Sequence, residues 1–332
     1  MLRMGGLVLL TLAAAAGKEV RAAGGGLLLV ANKGDHTLGI IDPEAGRQVA
    51  TVKESGVTGH EVVASPDGRT AYVPIYGDSG VGRPGSDGRT MDVIDLASRR
   101  RVTTIDFAGP ERPHAAVFGP DGRLYVTTEL TNSVKVVDPR TNTVVATLPT
   151  DQKESHMLVL SRDGTKAYTS NVGAGTVSVI DVAARKVTAV VTVAARAQRI
   201  ALSADGRWLF TADQDAPRLA VIDTKTNKLA PGVALPGVAY GTAATPDGRW
   251  LLMALPGVSQ VGVLDLKSME VARTLDVPKS PQEVLVRPDG RVAYVSCDAS
   301  GQVAVIDLVD WKVERLIQAG PQADGLAWAA QP

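Results

Sequence analysis

Apolar and polar positions along this chain alternate in short runs, with no helical period. Residues 157–160, 166–170, 176–180 and 186–191 are four such runs, rich in Val, Ile, Leu and Ala and separated by Gly, Asp, Asn and Thr. Short β-branched and aliphatic runs between turn residues predict strands joined by tight turns. The four strands, a to d, recur. The clearest marker is an apolar run, a Pro-Asp-Gly turn and a second apolar run, as in residues 282–295. In that turn Pro presets φ, Asp bonds the local backbone and Gly supplies φ > 0. The turn Asp recurs at Asp67, Asp121, Asp163, Asp205, Asp247 and Asp289, and from Asp121 onward every interval is 42 residues. A second series, Asp42, Asp95, Asp138, Asp181, Asp223, Asp265 and Asp307, closes each strand c. Its regularity predicts turn residues, not catalytic acids.

A period of this size marks units too small to bury a core alone, so they must stack or close into a ring. Strand accounting predicts the ring. Residues 27–31 match strand b, and 38–41 and 48–52 match c and d; the missing strand a is at residues 324–328. The expected fold is all-β: a seven-bladed β-propeller of four-stranded antiparallel blades, closed by a C-terminal strand that completes the N-terminal blade. Closure within one blade removes the open sheet edges. Residues 23–332 are read as one propeller domain.

Residues 1–22 are read as a secretory signal peptide. A basic start (Arg3), an apolar stretch at 5–16 and small-residue cleavage patterns at Ala14-x-Ala16 and Val20-x-Ala22 define it. The expectation is a periplasmic or secreted protein that does not span a membrane after cleavage. Charge is balanced, with 35 basic and 35 acidic residues. Bulk electrostatics therefore gives no reason to expect a nucleic-acid partner. The single Cys297 excludes an internal disulfide; it is read as a buried small hydrophobe.

The strand-b endings Tyr125-Val126-Thr127-Thr128, Tyr168-Thr169-Ser170-Asn171 and Tyr294-Val295-Ser296-Cys297, with the Ser65-Pro66-Asp67-Gly68 turn, resemble the YVTN family of β-propeller repeats. The likeness covers roughly residues 26 to 328. It implies the propeller fold and kinship with surface-layer modules and lactonase-type propellers. It implies no particular substrate.

The repeats are most informative where they differ. The residue seven before each turn Asp, at the start of strand a, reads His60, His114, His156, Gln198, Tyr240, Gln282 and, in the closing blade, Asp324. Strand a is innermost in a propeller blade, so these side chains should ring one mouth of the central channel. Three of the four histidines fall on consecutive blades of that ring. His36 breaks the register and reads as a turn residue. The first interval of the ring is 54 residues, not 42, because residues 76–88 are inserted between strands b and c of the first complete copy. The b–c loops share a face with the ring, so this insertion should lie over it as a lid. Its Gly80-x-Gly82-x-x-Gly85 matches a dinucleotide fingerprint by letters only, since no βαβ unit surrounds it. Arg112, Lys153, Arg196 and Lys279 from the d–a loops, Tyr76, and Glu129 after strand b should share the face.

Two chemistries fit. Three neutral imidazoles bind Zn, Cu, Ni or Fe, with Asp324 or Glu129 completing the shell and an open position for a bound water. Alternatively, His60, His114 and His156 do metal-free acid–base work on a lactone or ester; Pro113-His114 is similar to a Pro-His of lactonase-type propellers. Gln198, Tyr240, Gln282, Arg112, Arg196 and Tyr76 are the candidate ligand-binding residues. The expected function is binding of a small molecule or transition metal at the mouth. The alternatives are a hydrolase, lactonase or lyase at the same histidines, or a non-catalytic scaffold for a protein partner.

Overall fold

The computed structural model describes residues 25–78 and 80–330. The signal-peptide reading of residues 1–22 lies outside the described residues, among which no helix is long and apolar enough to cross a membrane. Among the described residues, twenty-eight strands form seven four-stranded antiparallel sheets. Blade 1 is closed by the C-terminus: Ala323–Ala330 pairs with Gly26–Asn32, Leu28 opposite Trp328 and Val30 opposite Leu326. Blades 2 to 7 then follow in chain order, with innermost strands Val63–Ala64, Pro113–Phe118, Ser155–Leu160, Ala197–Leu202, Thr242–Ala244 and Pro281–Val286.

Burial explains the sequence pattern. Strands such as Trp250–Leu255 are buried on both faces and therefore read as continuous apolar runs. Outermost strands such as Arg100–Asp106 expose every residue but one, here Ile105. The core is seven separate seams, one between each pair of neighbouring blades. Each blade buries its faces only against its neighbours, which is why one repeat cannot stand alone. The periodic aspartates are turn residues. Asp67 accepts from Ser65 Oγ and the Arg69 amide, and Asp223 accepts from the Lys225 and Thr226 amides. Cys297 is fully buried, and burial pushes its thiol up to about 12. His36 is a half-buried turn residue with a left-handed backbone.

The innermost strands of blades 2 and 6 are shorter than the repeat predicts. His60 and Tyr240 lie just outside them, where the backbone beside the ring is committed to a neighbouring blade. Gly325 N–H donates to His60 O (2.9 Å), and Gly241 N–H donates to Gln282 O (2.7 Å). A Cβ on either glycine would lie within 2.5 Å of that same carbonyl oxygen. Only glycine permits this approach.

Candidate functional site at the channel mouth

Bulged starts in five of the innermost strands, and the segments just ahead of the short innermost strands of blades 2 and 6, bring all seven ring side chains to one cavity of about 230 Å³. His60, His114, His156, Gln198, Tyr240, Gln282 and Asp324 all line it, together with Arg196 from a d–a loop. Gly80, Val81 and Arg83 of the insertion line it as well, so the insertion does lie over the ring. Lys153 and Lys279 are exposed and outside the lining.

Beneath the cavity is a buried polar chain. His114 and His156 are both about 2% exposed, and their rings overlap at a tilt of 33°, with centroids 3.6 Å apart. His60 meets the edge of His114 at 5.4 Å and lies over Tyr76 at 4.6 Å. Glu129, about 1% exposed, accepts from His156 Nδ1 (2.8 Å) and from Tyr76 Oη (2.6 Å). Gln198 Nε2 sits 3.2 Å from His156 Nε2. Carboxylate on one side and amide donor on the other assign the His156 proton to Nδ1.

Tyr76 and Arg112 do not line the cavity. Tyr76 is fully buried under the histidine rings, with its hydroxyl spent on Glu129. Arg112, about 4% exposed, is bound to Asp87 and to Arg83 O of the insertion.

The charges fall into two classes. Burial pushes His60 down to about 4 despite the nearby Asp324, and burial with two neighbouring imidazoles pushes His114 well below the ordinary histidine range. Both are neutral at physiological pH. Burial alone would raise Glu129, but the bonds from His156 and Tyr76 and the charge of Arg112 outweigh it and hold the carboxyl low. Among the described residues, His114 Nδ1 is buried without a hydrogen-bond partner.

One residue further along the inner strands lies a cluster that the ring position does not predict, and its cations Arg199 and Lys33 also line the cavity. Arg199 Nη1 donates to Glu61 Oε1 (2.6 Å) and Glu283 Oε2 (2.8 Å), and Nη2 lies 3.6 Å from Asp324 Oδ1. Lys33 Nζ reaches Asp324 Oδ2 at 3.0 Å and Asp298 at 3.5 Å. Burial pushes Glu61 and Glu283 up, opposed by Arg199, while Lys33 and Arg199 hold Asp324 low against its burial. The position after the ring residue reads Glu61, Ala115, Met157, Arg199, Gly241, Glu283 and Gly325. Charges at three copies of an otherwise small or apolar inner-strand position are the signal that could have found the cluster.

Asp324 and Glu129, the carboxylates expected to complete a metal shell, are thus already committed to other partners. Among the described residues no three or more His, Cys, Asp or Glu side chains are grouped so as to hold a metal ion.

Comparison with known proteins agrees with this architecture. No functionally curated protein matches the sequence. The fold is similar to the periplasmic gluconolactonase PpgL of Pseudomonas aeruginosa (TM-score 0.75, 20% identity, covering 92% of this chain and 99% of that one). It is also similar to the hydrazine synthase of Kuenenia stuttgartiensis (TM-score 0.71, 18% identity, covering 89% and 99%). The dihydro-heme d1 dehydrogenase NirN in complex with DHE matches at TM-score 0.65 and 17% identity, covering 90% and 74%. At these identities the likeness is one of fold. The family model described as "Lactonase, 7-bladed beta-propeller" matches residues 43–243, more than half of the chain, and the chain therefore belongs to that family.

Proposed function

We propose that this chain is an exported hydrolase that opens cyclic esters with water at the histidine mouth. The observation that carries this reading is the buried Glu129–His156 pair directly beneath the cavity. A carboxylate bound to Nδ1 fixes the imidazole tautomer and leaves Nε2 as the basic nitrogen, the arrangement a general base requires. In the resting site Gln198 caps that lone pair; a water that replaces the amide gives its proton to Nε2 as it attacks the lactone carbonyl. The ring C–O bond then breaks, and the imidazolium returns the proton to the leaving alkoxide. The product is the open hydroxy acid, and atoms and charge balance. His60 and His114, kept neutral by burial, serve as N–H donors to the carbonyl oxygen without adding a competing acid. Arg83 and Arg196 line the same cavity and offset negative charge developing on that oxygen. Membership of a lactonase family and likeness to a periplasmic gluconolactonase support both the reaction class and export.

The test is a pH-stat assay of the purified chain against γ- and δ-lactones, including aldonolactones, beside a His156→Ala variant. Acid release that the variant loses supports the proposal. Wild-type rates equal to the buffer blank, or to the variant, overturn it.

A second reading, binding of a Zn, Cu, Ni or Fe ion by the three histidines, has the unpartnered His114 Nδ1 and the neutrality of His60 and His114 on its side, but it requires the rings to regroup, because His156 is bonded at both nitrogens and the described side chains are not grouped to hold a metal. Elemental analysis of protein from its native compartment, beside a His60/His114/His156 triple-alanine variant, separates the two. A stoichiometric metal lost in the variant supports the metal; none after supplementation removes it.

A further inference from the structure

The 76–88 insertion leaves blade 2 at Tyr76 and rejoins it at Asp87, and both ends converge on Arg112 of the next blade. The Arg112 amide donates to Gly88 O (2.9 Å), and its carbonyl accepts from the Glu129 amide (3.2 Å). Its Nε donates to Asp87 Oδ1 (2.5 Å) and its Nη2 to Arg83 O (2.6 Å). Its Nη1 lies 3.7 Å from Glu129 Oε2, the oxygen that also holds Tyr76, and the guanidinium lies 5.7 Å from the Tyr76 ring centroid. The residue is almost fully buried and holds a left-handed backbone (φ 50°), which a non-glycine residue adopts only where its surroundings enforce it. A planar guanidinium can serve all three partners at once; a lysine ammonium cannot reach around the same fork.

We propose that Arg112 is a positioning residue that latches the insertion over the channel mouth and ties that closure to the Glu129–His156 pair. It does not touch the cavity. It transmits the state of the insertion to the carboxylate that orients the imidazole. Opening of the insertion takes Arg83 O off the guanidinium and loosens Asp87 at the end of its strand, and the guanidinium is then free to draw Glu129 Oε2 away from Tyr76. Substrate enters with the pair loosened, and closure restores it. The catalytic meaning of this coupling rests on the hydrolase reading above; the coupling itself does not.

The test uses Asp87→Ala, which cuts the latch at its partly exposed end, Arg112→Gln, Arg112→Lys and the Asp87→Ala/Arg112→Gln double variant. Three quantities are read: amide hydrogen exchange of residues 80–86, the His156 Nδ1–H proton resonance in histidine-labelled protein, and kcat and KM for any lactone turned over. Each of the three single variants should raise exchange of 80–86 at least about tenfold, with no further rise in the double variant. The Nδ1–H resonance should move in Asp87→Ala although that residue does not touch the pair. Turnover should fall mainly in kcat. Exchange within twofold of wild type in both Asp87→Ala and Arg112→Gln overturns the latch. Faster exchange with an unmoved Nδ1–H resonance overturns the coupling. If the wild-type chain opens no lactone, the exchange and resonance measurements still decide the proposal, and only the hydrolase reading falls.

Discussion

Glu129→Gln isolates the role of the buried carboxylate with the least change of shape. Glu129 receives two charge-assisted hydrogen bonds, at 2.8 Å from His156 and 2.6 Å from Tyr76. Bonds to a charged group contribute about 1.5–3 kcal/mol each and neutral ones about 1. Replacing both by neutral bonds should therefore cost roughly 1–4 kcal/mol of stability, a loss a propeller of this size survives. The chemical consequence is larger. An amide presents one acceptor and one donor, and if its NH2 faces His156 the imidazole must accept at Nδ1. The proton then moves to Nε2, the nitrogen needed as the base. A general base contributes about 10²–10⁴ in rate, or roughly 3–5 kcal/mol of barrier. The expected result is a fall in kcat of that size with KM changed by less than about threefold, in a protein whose circular dichroism is unchanged. A Tyr76→Phe control removes one donor but leaves the tautomer intact, and should cost under about tenfold in kcat. The pH-stat lactone assay and thermal unfolding read both quantities. Glu129→Gln activity within about threefold of wild type, in a folded protein, would refute the reasoning.

Arg199→Met leaves Glu61, Glu283 and Asp324 facing one another without their shared cation. Loss of about 3–5 kcal/mol is expected at neutral pH, a Tm fall of order 10 °C by calorimetry, and a smaller loss near pH 5, well below the raised range of Glu61 and Glu283; equal losses at both pH values would contradict the account. Burial pushes Glu54 up to about 8, against the bond from the Gly59 amide. The folded state thus keeps a proton that the unfolded state gives up, and this stability is lost as pH rises from about 4.5 through 8. Glu54→Gln should raise stability at pH 8.5, on the order of 2–5 kcal/mol read by thermal unfolding, and bring little at pH 4.5; a pH-independent difference counts against it. His60 runs the other way. Its folded value of about 4 lies below the unfolded one, so its contribution is present above about 6.5 and lost as pH falls toward 4. His60→Gln should flatten the acid limb of the stability profile by up to about 3 kcal/mol, and an unchanged acid limb would show that His60 is not held neutral.

Parts of the site were legible because a repeat array exposes its own exceptions. The turn aspartates fix the register, so His60, His114 and His156 could be placed on one ring, and the 12-residue excess at 76–88 over that ring, from residue numbers alone. The roles of Tyr76 and Arg112 were not legible. Loop position suggests a face but not a depth. Tyr76 ends buried under the imidazoles, and Arg112 faces the insertion, because each finds its polar partners inward.

The sequence by itself determined the fold, because strand length, turn chemistry and period are local properties repeated until only one closure remains. It determined the seven ring residues at the mouth for the same reason, but not the Lys33 and Arg199 that join them. What it could not carry was pairing across the channel. Glu129 binds His156 from the preceding blade, and Arg199 reaches Glu61, Glu283 and Asp324 from three others. These partners lie 27 to 138 residues apart and meet only when the ring closes. Hydrogen bonding and ionisation depend on burial and on distances of a few ångströms, and both come into being with the tertiary structure.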